Sequence, residues 1–199
     1  MMRLNPDATF DCLFVANHLQ IQRPSFSVQE IHLFTYLACL LWLYRERIVS
    51  DWGYEFAGTE LGAPFSREID TALKELLERG YFRKIRDHVR LTELAEQPLQ
   101  DLSELTINQE RAECLQAACS STAVFSVGMV SSALAKEPEL MRAKALPSIR
   151  LLLEESARSQ LYVQFDALRK AVSQRSTDLR LPAVVWLTAL YRFGEVEAS

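Results

Sequence analysis

The clearest pattern in the chain lies between Ser66 and Gly80, where Ile69, Leu73, Leu76 and Leu77 recur at helical spacing within an otherwise charged segment. Ser66 stands where an N-cap belongs, its hydroxyl placed to accept from first-turn amides, and Glu68 and Asp70 put negative charge at the positive end of the helix dipole. Gly80 follows as the residue able to take positive φ where the helix stops. Two short strand candidates come next, Tyr81–Arg86 and Val89–Leu91, around a turn at Asp87-His88, and Thr92-Glu93 opens another helix. Helix, glycine, strand, tight turn, strand, helix is the order of a winged helix.

Upstream, Phe10, Leu13, Phe14, Asn17 and His18 share helical spacing over Asp7–Gln20, with Pro6 where a helix start tolerates it. Pro24 breaks the chain, and Ser27-Val28-Gln29-Glu30 has the form of a capping box. The helix it opens is apolar nearly all round from Ile31 to Tyr44, so it is expected at the centre of the core, with the Ser66–Arg79 helix packed on it. Residues 50–63 read as a glycine-punctuated loop carrying Trp52, Tyr54 and Phe56, either a lid folded over the core or an aromatic contact surface for a partner. Beyond Pro98 the helical candidates are Asn108–Cys119, Thr122–Ala135, Ser148–Lys170 and Leu181–Phe193, with breaks near Ser120-Ser121, Glu137-Pro138 and Ser176-Thr177-Asp178. The last of these helices, with Trp186 and Tyr191, either closes the C-terminal core or turns one side to a partner. The expected fold is therefore mainly α, a winged helix-turn-helix with a short β-hairpin wing over residues 1–100 and a helical C-terminal extension over 101–199.

Composition narrows the function. At 199 residues, 49% hydrophobic and 24% charged, the chain is well cored, and a formal charge of −4 argues against a surface that wraps nucleic acid throughout. The basic residues gather locally instead: Arg79, Arg83, Lys84, Arg86 and Arg90 surround the single acid Asp87. They read either as phosphate contacts, joined by Lys74 on the preceding helix, or as a solvated hairpin paired with Glu75, Glu78 and Glu93. The helix itself carries Glu68, Asp70, Glu75 and Glu78, which phosphates would repel, so weak backbone contact is favoured over sequence-specific reading.

No phosphate-cradling loop, dinucleotide-binding turn or helical metal pair occurs in the sequence, and His18, His32 and His88 are isolated from one another. Cys12, Cys39, Cys114 and Cys119 lack zinc spacing and are expected as buried free thiols. The expectation is a non-catalytic protein with no metal and no cofactor. The N-terminus has no apolar signal core, and the longest apolar runs fall short of a bilayer span, so a cytoplasmic protein without a membrane segment is expected.

The segments Phe65-Ser66-Arg67-Glu68-Ile69, Ala72 to Phe82 and Arg90-Leu91-Thr92-Glu93 resemble winged-helix proteins in general. The wider layout, an Asn-Pro start, a helix, a long apolar helix, a loop and a wing, resembles the small middle components of bacterial three-component anti-phage defence systems over about the first half of the chain. That resemblance implies an accessory subunit without an active site of its own. It would dock on a larger ATPase of the structural-maintenance-of-chromosomes type, on a nuclease effector, or on both. The alternative is a winged-helix transcription regulator that forms a homodimer through its C-terminal helices.

Overall fold

The computed structural model describes residues 5–145, 150–154, 158–172 and 178–196, with side chains as far as Arg192. The architecture is mainly α with two small antiparallel sheets. Helix α1 (Pro6–Gln22) starts with Pro6 at its first position, and the Asn5 side chain accepts from the Ala8 amide at 3.1 Å. Helix α2 (Val28–Tyr44) opens on the expected capping box: the Glu30 amide donates to Ser27 Oγ, and the Ser27 amide to Glu30 Oε1, both at 3.3 Å. From Ile31 to Leu41 every residue of α2 is buried, as its all-round apolarity requires.

Helix α3 (Arg67–Glu78) buries Ile69, Ala72, Leu73 and Leu76, while Leu77 is only partly covered. It packs chiefly on α1 and on the strand that follows it, rather than along α2 as its stripe suggested. Ser66 does hold the N-cap position, but its hydroxyl donates to Glu68 at 3.1 Å instead of capping the first turn. Its amide is taken by His32 Nδ1 on α2, at 3.2 Å. At the other end Gly80 adopts φ +79°, Gly80 N–H donates to Leu77 and Tyr81 N–H to Leu76, the paired bonds of a Schellman stop.

Strands β3 (Phe82–Ile85) and β4 (His88–Leu91) form the expected hairpin, and Phe26, in the link between α1 and α2, bridges to Val89 as a third, single-residue partner. The chain then runs through a short 3₁₀ turn into α4 (Glu96–Glu104), which carries Pro98 inside its first turn where the missing N–H is harmless. Helix α5 (Gln109–Ser120) lies against both α2 and α1, so residues from the two halves of the chain share one hydrophobic core.

Three features escaped the sequence pattern. Residues 50–63 are not a plain loop: a 3₁₀ turn (Val49–Trp52) leads into β1 (Ala57–Gly58), which pairs with β2 (Pro64–Phe65). The stretch expected as one helix from Ser148 instead contains β5 (Arg150–Leu151), the second partner of β1, before α8 (Arg158–Ala171). Ser148 itself, like the break at Ser176-Thr177, lies outside the described residues. The break at Glu137-Pro138 stands where expected, after α6 (Val127–Leu134), but it is followed by a helix the pattern did not show, α7 (Pro138–Lys144). Helix α9 (Arg180–Val196) packs on α5, α6 and α8.

The cap of α7 is a fully buried carboxyl. Glu137 accepts from the Glu139 amide at 2.9 Å, the Leu140 amide at 3.0 Å and the Tyr36 hydroxyl at 3.0 Å. Burial outweighs these donors and pushes the group up to about 7. A folded pKa above the unfolded value means that the contribution of Glu137 to stability is full below about pH 4.5 and is lost as pH rises through about 7. Wild type should therefore lose stability relative to Glu137→Gln over that interval, and denaturant midpoints of the two proteins across pH 4–8 measure it. A pH-independent difference would contradict the assignment.

Candidate nucleic-acid interface

The β3–β4 hairpin is held from beneath by α1 and presents its cations outward. Gln20 on α1 grips the backbone of Leu91, accepting from its amide at 2.7 Å and donating to its carbonyl at 3.4 Å. Phe26 N–H donates to Val89 at 3.1 Å, and Val89 N–H returns the bond at 2.8 Å. Strand alternation sends Phe82, Val89 and Leu91 into the core. Arg83, Lys84, Arg86 and Arg90 are all exposed, and none of their side chains forms an ion pair or hydrogen bond among the described residues. The reading in which these arginines are neutralised by Glu75, Glu78 and Glu93 thus fails for the hairpin. It holds only for Arg79, which pairs with Glu75 one helical turn back.

The turn adds a further oddity. Arg86 takes φ +56°, a left-handed conformation that glycine or asparagine occupies at little cost and a long L side chain does not. Ile85, opposite His88 at the tip, is 39% exposed. The hairpin end is therefore cationic, solvated and conformationally strained.

Helix α3 is electrically different. Lys74 is exposed but bound to Asp70 at 2.7 Å, and Arg79 is tied to Glu75, so two of its cations are already paired with acids of the same helix. Lys74 is thus not equivalent to the hairpin cations with which sequence reasoning grouped it.

The aromatic loop is inside the molecule. Trp52 and Phe56 are essentially fully buried and Tyr54 is 7% exposed, their rings continuing a chain of edge-on and tilted ring contacts that joins Trp42 to Tyr36. Rings so enclosed offer a partner no surface, and the geometry is that of the lid. What locks the lid is a buried ionic group that sequence reasoning missed. Asp11 on α1 accepts two parallel bonds from Arg111 on α5, from Nε at 2.6 Å and from Nη2 at 2.8 Å, and a third from the Tyr54 hydroxyl. The Arg111 guanidinium also stacks 3.9 Å from the centre of the Trp52 ring. Burial raises the Asp11 carboxyl above its ordinary value, against the opposing pull of Arg111. Burial would lower Arg111, and the Asp11 carboxylate overrides this and holds it charged. Gly53, at φ +86°, completes the lid: an added Cβ would strike the Asp7 carboxyl, and the Gly53 carbonyl accepts from the Asn5 side chain at 2.9 Å. An aspartate between Phe10 and Cys12, among the apolar positions of α1, was the available signal.

The C-terminal candidates are also engaged internally. Trp186 is buried, donates to Gln164 at 3.1 Å and meets Phe165 edge-on. Tyr191 is partly buried and carries Lys136, whose ammonium donates to the Tyr191 carbonyl at 3.0 Å and sits 5.1 Å from the ring centre.

Of the histidines, His32 is buried and committed as an acceptor; burial lowers it to about 4, against the charge of Asp70. His18 lies partly covered against Phe14, and His88 is exposed on the hairpin. All four cysteines are buried free thiols. Among the described residues no group of histidine, cysteine and carboxylate side chains is placed to hold a metal ion. No single helix among them is long and apolar enough to cross a membrane.

No family model matches the chain, and neither a curated protein nor a solved structure matches it.

The ionic lock carries a clear expectation. Arg111→Met should destabilise the fold by about 3–5 kcal/mol, because it strands a buried carboxylate. Asp11→Leu combined with Arg111→Met should recover much of that loss, as measured by chemical denaturation. A single variant as stable as wild type would show that the pair is dispensable.

Proposed function

We propose that residues 6–91 are a winged-helix module whose β3–β4 wing contacts the phosphate backbone of duplex DNA. The protein serves as a non-catalytic accessory subunit of a larger assembly. The observation that carries this reading is the contrast within one module: the wing exposes four cations with no acid bound to them, while α3 ties Lys74 and Arg79 to its own carboxylates. Phosphate contact needs free cations in a cluster, and base reading needs an uncommitted polar helix face. The wing supplies the first; α3 leaves a single exposed cation, Arg67, unpaired among the described residues, and so supplies little of the second. This supports DNA contact without sequence choice over an operator-binding regulator.

The accessory role fits the charge balance. A chain of formal charge −4 with one basic hairpin has a small electrostatic footprint, suited to assisting a larger DNA-binding partner rather than holding DNA alone. The module order, with its strand-like bridge at Phe26 between α1 and α2 and a hairpin after α3, agrees with the resemblance to small middle components of defence systems. Under that resemblance the partner is a large ATPase of the structural-maintenance-of-chromosomes type or a nuclease, in the cytoplasm. With Trp52, Tyr54, Phe56 and Trp186 internal, such a partner must engage other side chains.

The isolated protein should bind duplex DNA of any sequence weakly, with affinity falling steeply as salt rises. Changing Arg83, Lys84 and Arg86 together to Glu should abolish binding without lowering the thermal transition. Fluorescence anisotropy with duplexes of unrelated sequence measures both the affinity and its salt slope. Tight binding to one duplex over others, or binding that survives the triple substitution, would overturn the reading.

A further inference from the structure

We infer that Arg83 and Arg90 form a two-guanidinium clamp that closes on one backbone phosphate, and that the unliganded hairpin carries a repulsion which the phosphate relieves. The inference rests on the reading of the hairpin as a phosphate-contacting wing, and it names the residues that make the contact and how they act together.

The register sets the geometry. Arg83 pairs directly with Arg90 across the antiparallel ladder, so their side chains leave the same face of the hairpin. Directly opposed Cβ atoms lie roughly 4.5–5.5 Å apart, and like charges in that relation oppose strand pairing. A free hairpin usually avoids such a pair or sets an acid beside it. Here both arginines are exposed, and neither forms an ion pair among the described residues. The neighbours of the pair on its own face are Ile85 and His88 toward the tip and Tyr81 and Thr92 toward the base, so no carboxylate occupies a neighbouring same-face position. The hairpin's one acid, Asp87, is in the turn.

Two planar donor forks facing the same way from one rung suit a tetrahedral anion with several acceptor oxygens. A phosphodiester fits because it offers two unesterified oxygens, one for each guanidinium, and neutralises the charge that otherwise pushes the strands apart. Arg86, in its left-handed turn, lies beyond this rung on the tip side, where the same strand of backbone would continue, while Lys84 leaves the opposite face of the hairpin and is outside the clamp. The hairpin thus resembles a surface optimised for its ligand at the expense of its own stability.

Two consequences separate a clamp from a general basic patch. The first concerns the free protein. Arg83→Glu turns the repelling rung into an attractive one, so it should raise the melting temperature by about 1–4 °C while weakening duplex binding at least about tenfold. Arg90→Glu should do the same from the other strand, which guards against a local defect peculiar to one site. A lower or unchanged melting temperature in both variants would overturn the stored repulsion and with it the inference.

The second concerns additivity. If both arginines hold one phosphate, Arg83→Ala and Arg90→Ala should each lose most of the contact. The double variant should then be little worse than either single, with a salt slope lower by about 1 in all three. Independent losses that add, with the slope of the double variant lower by about 2, would show two separate contacts: the wing reading would stand and the clamp would fall. Wild-type protein that binds no duplex at any salt concentration would remove the wing reading and the clamp together. Inorganic phosphate separates the sources of the anion. It should raise the melting temperature of wild type only at concentrations far above those at which a duplex does, and it should leave Arg83→Glu unaffected. Equal potency of the two would identify the site as one for free phosphate and overturn the backbone assignment.

Discussion

The bidentate bond between Asp11 and Arg111 joins parts of the chain that are a hundred residues apart, and the rest of the structure is arranged around it. It ties α1 to α5, and Tyr54 and Trp52 bring the loop after α2 to the same two side chains. Two buried charges gain stability only when their remaining hydrogen-bonding capacity is met, and here the tyrosine hydroxyl and the tryptophan face complete the enclosure. Helix α2, apolar all round, needs cover on every side. The ionic lock fixes α1 and α5, two of the elements that provide it.

That arrangement determines how the hairpin is presented. With α1 anchored by Asp11 in its first half, its last turns are free to support the hairpin, Gln20 on Leu91 and the bridge at Phe26 just beyond. Helix α3 docks on the same helix, and the Schellman stop at Gly80 aims the chain straight into β3. The cations therefore project from a rigid base rather than from a loose loop. A contact made through charge alone still gains from such a base, because less side-chain and backbone freedom is lost on binding.

What could be read from the sequence was local. The capping box at Ser27, the proline at the start of α1, the stripe of α3 and the glycine stop each depend on neighbours within a turn or two, and each stands in the structure. The strands β1, β2 and β5 are two residues long, too short for any alternation to show. The break at Glu137-Pro138 stands between α6 and α7, but the short helix that the same pair starts, an acceptor followed by a fixed φ, went unread. The partnership of Asp11 with Arg111 had no local trace beyond an acid among apolar neighbours, so the aromatic loop was open to being read as a surface. On the hairpin the position of the cations was plain, while their freedom from acidic partners, and the opposition of Arg83 to Arg90, needed the register.

The central claim is the proposal that duplex DNA meets this protein at the β3–β4 hairpin and not at α3. Amide hydrogen exchange of the full chain, with and without a short duplex at low salt, tests it most directly. Added protection confined to residues 82–91 and the adjoining end of α1 is the result expected. Protection centred on α3, or none anywhere at saturating duplex, would contradict the account.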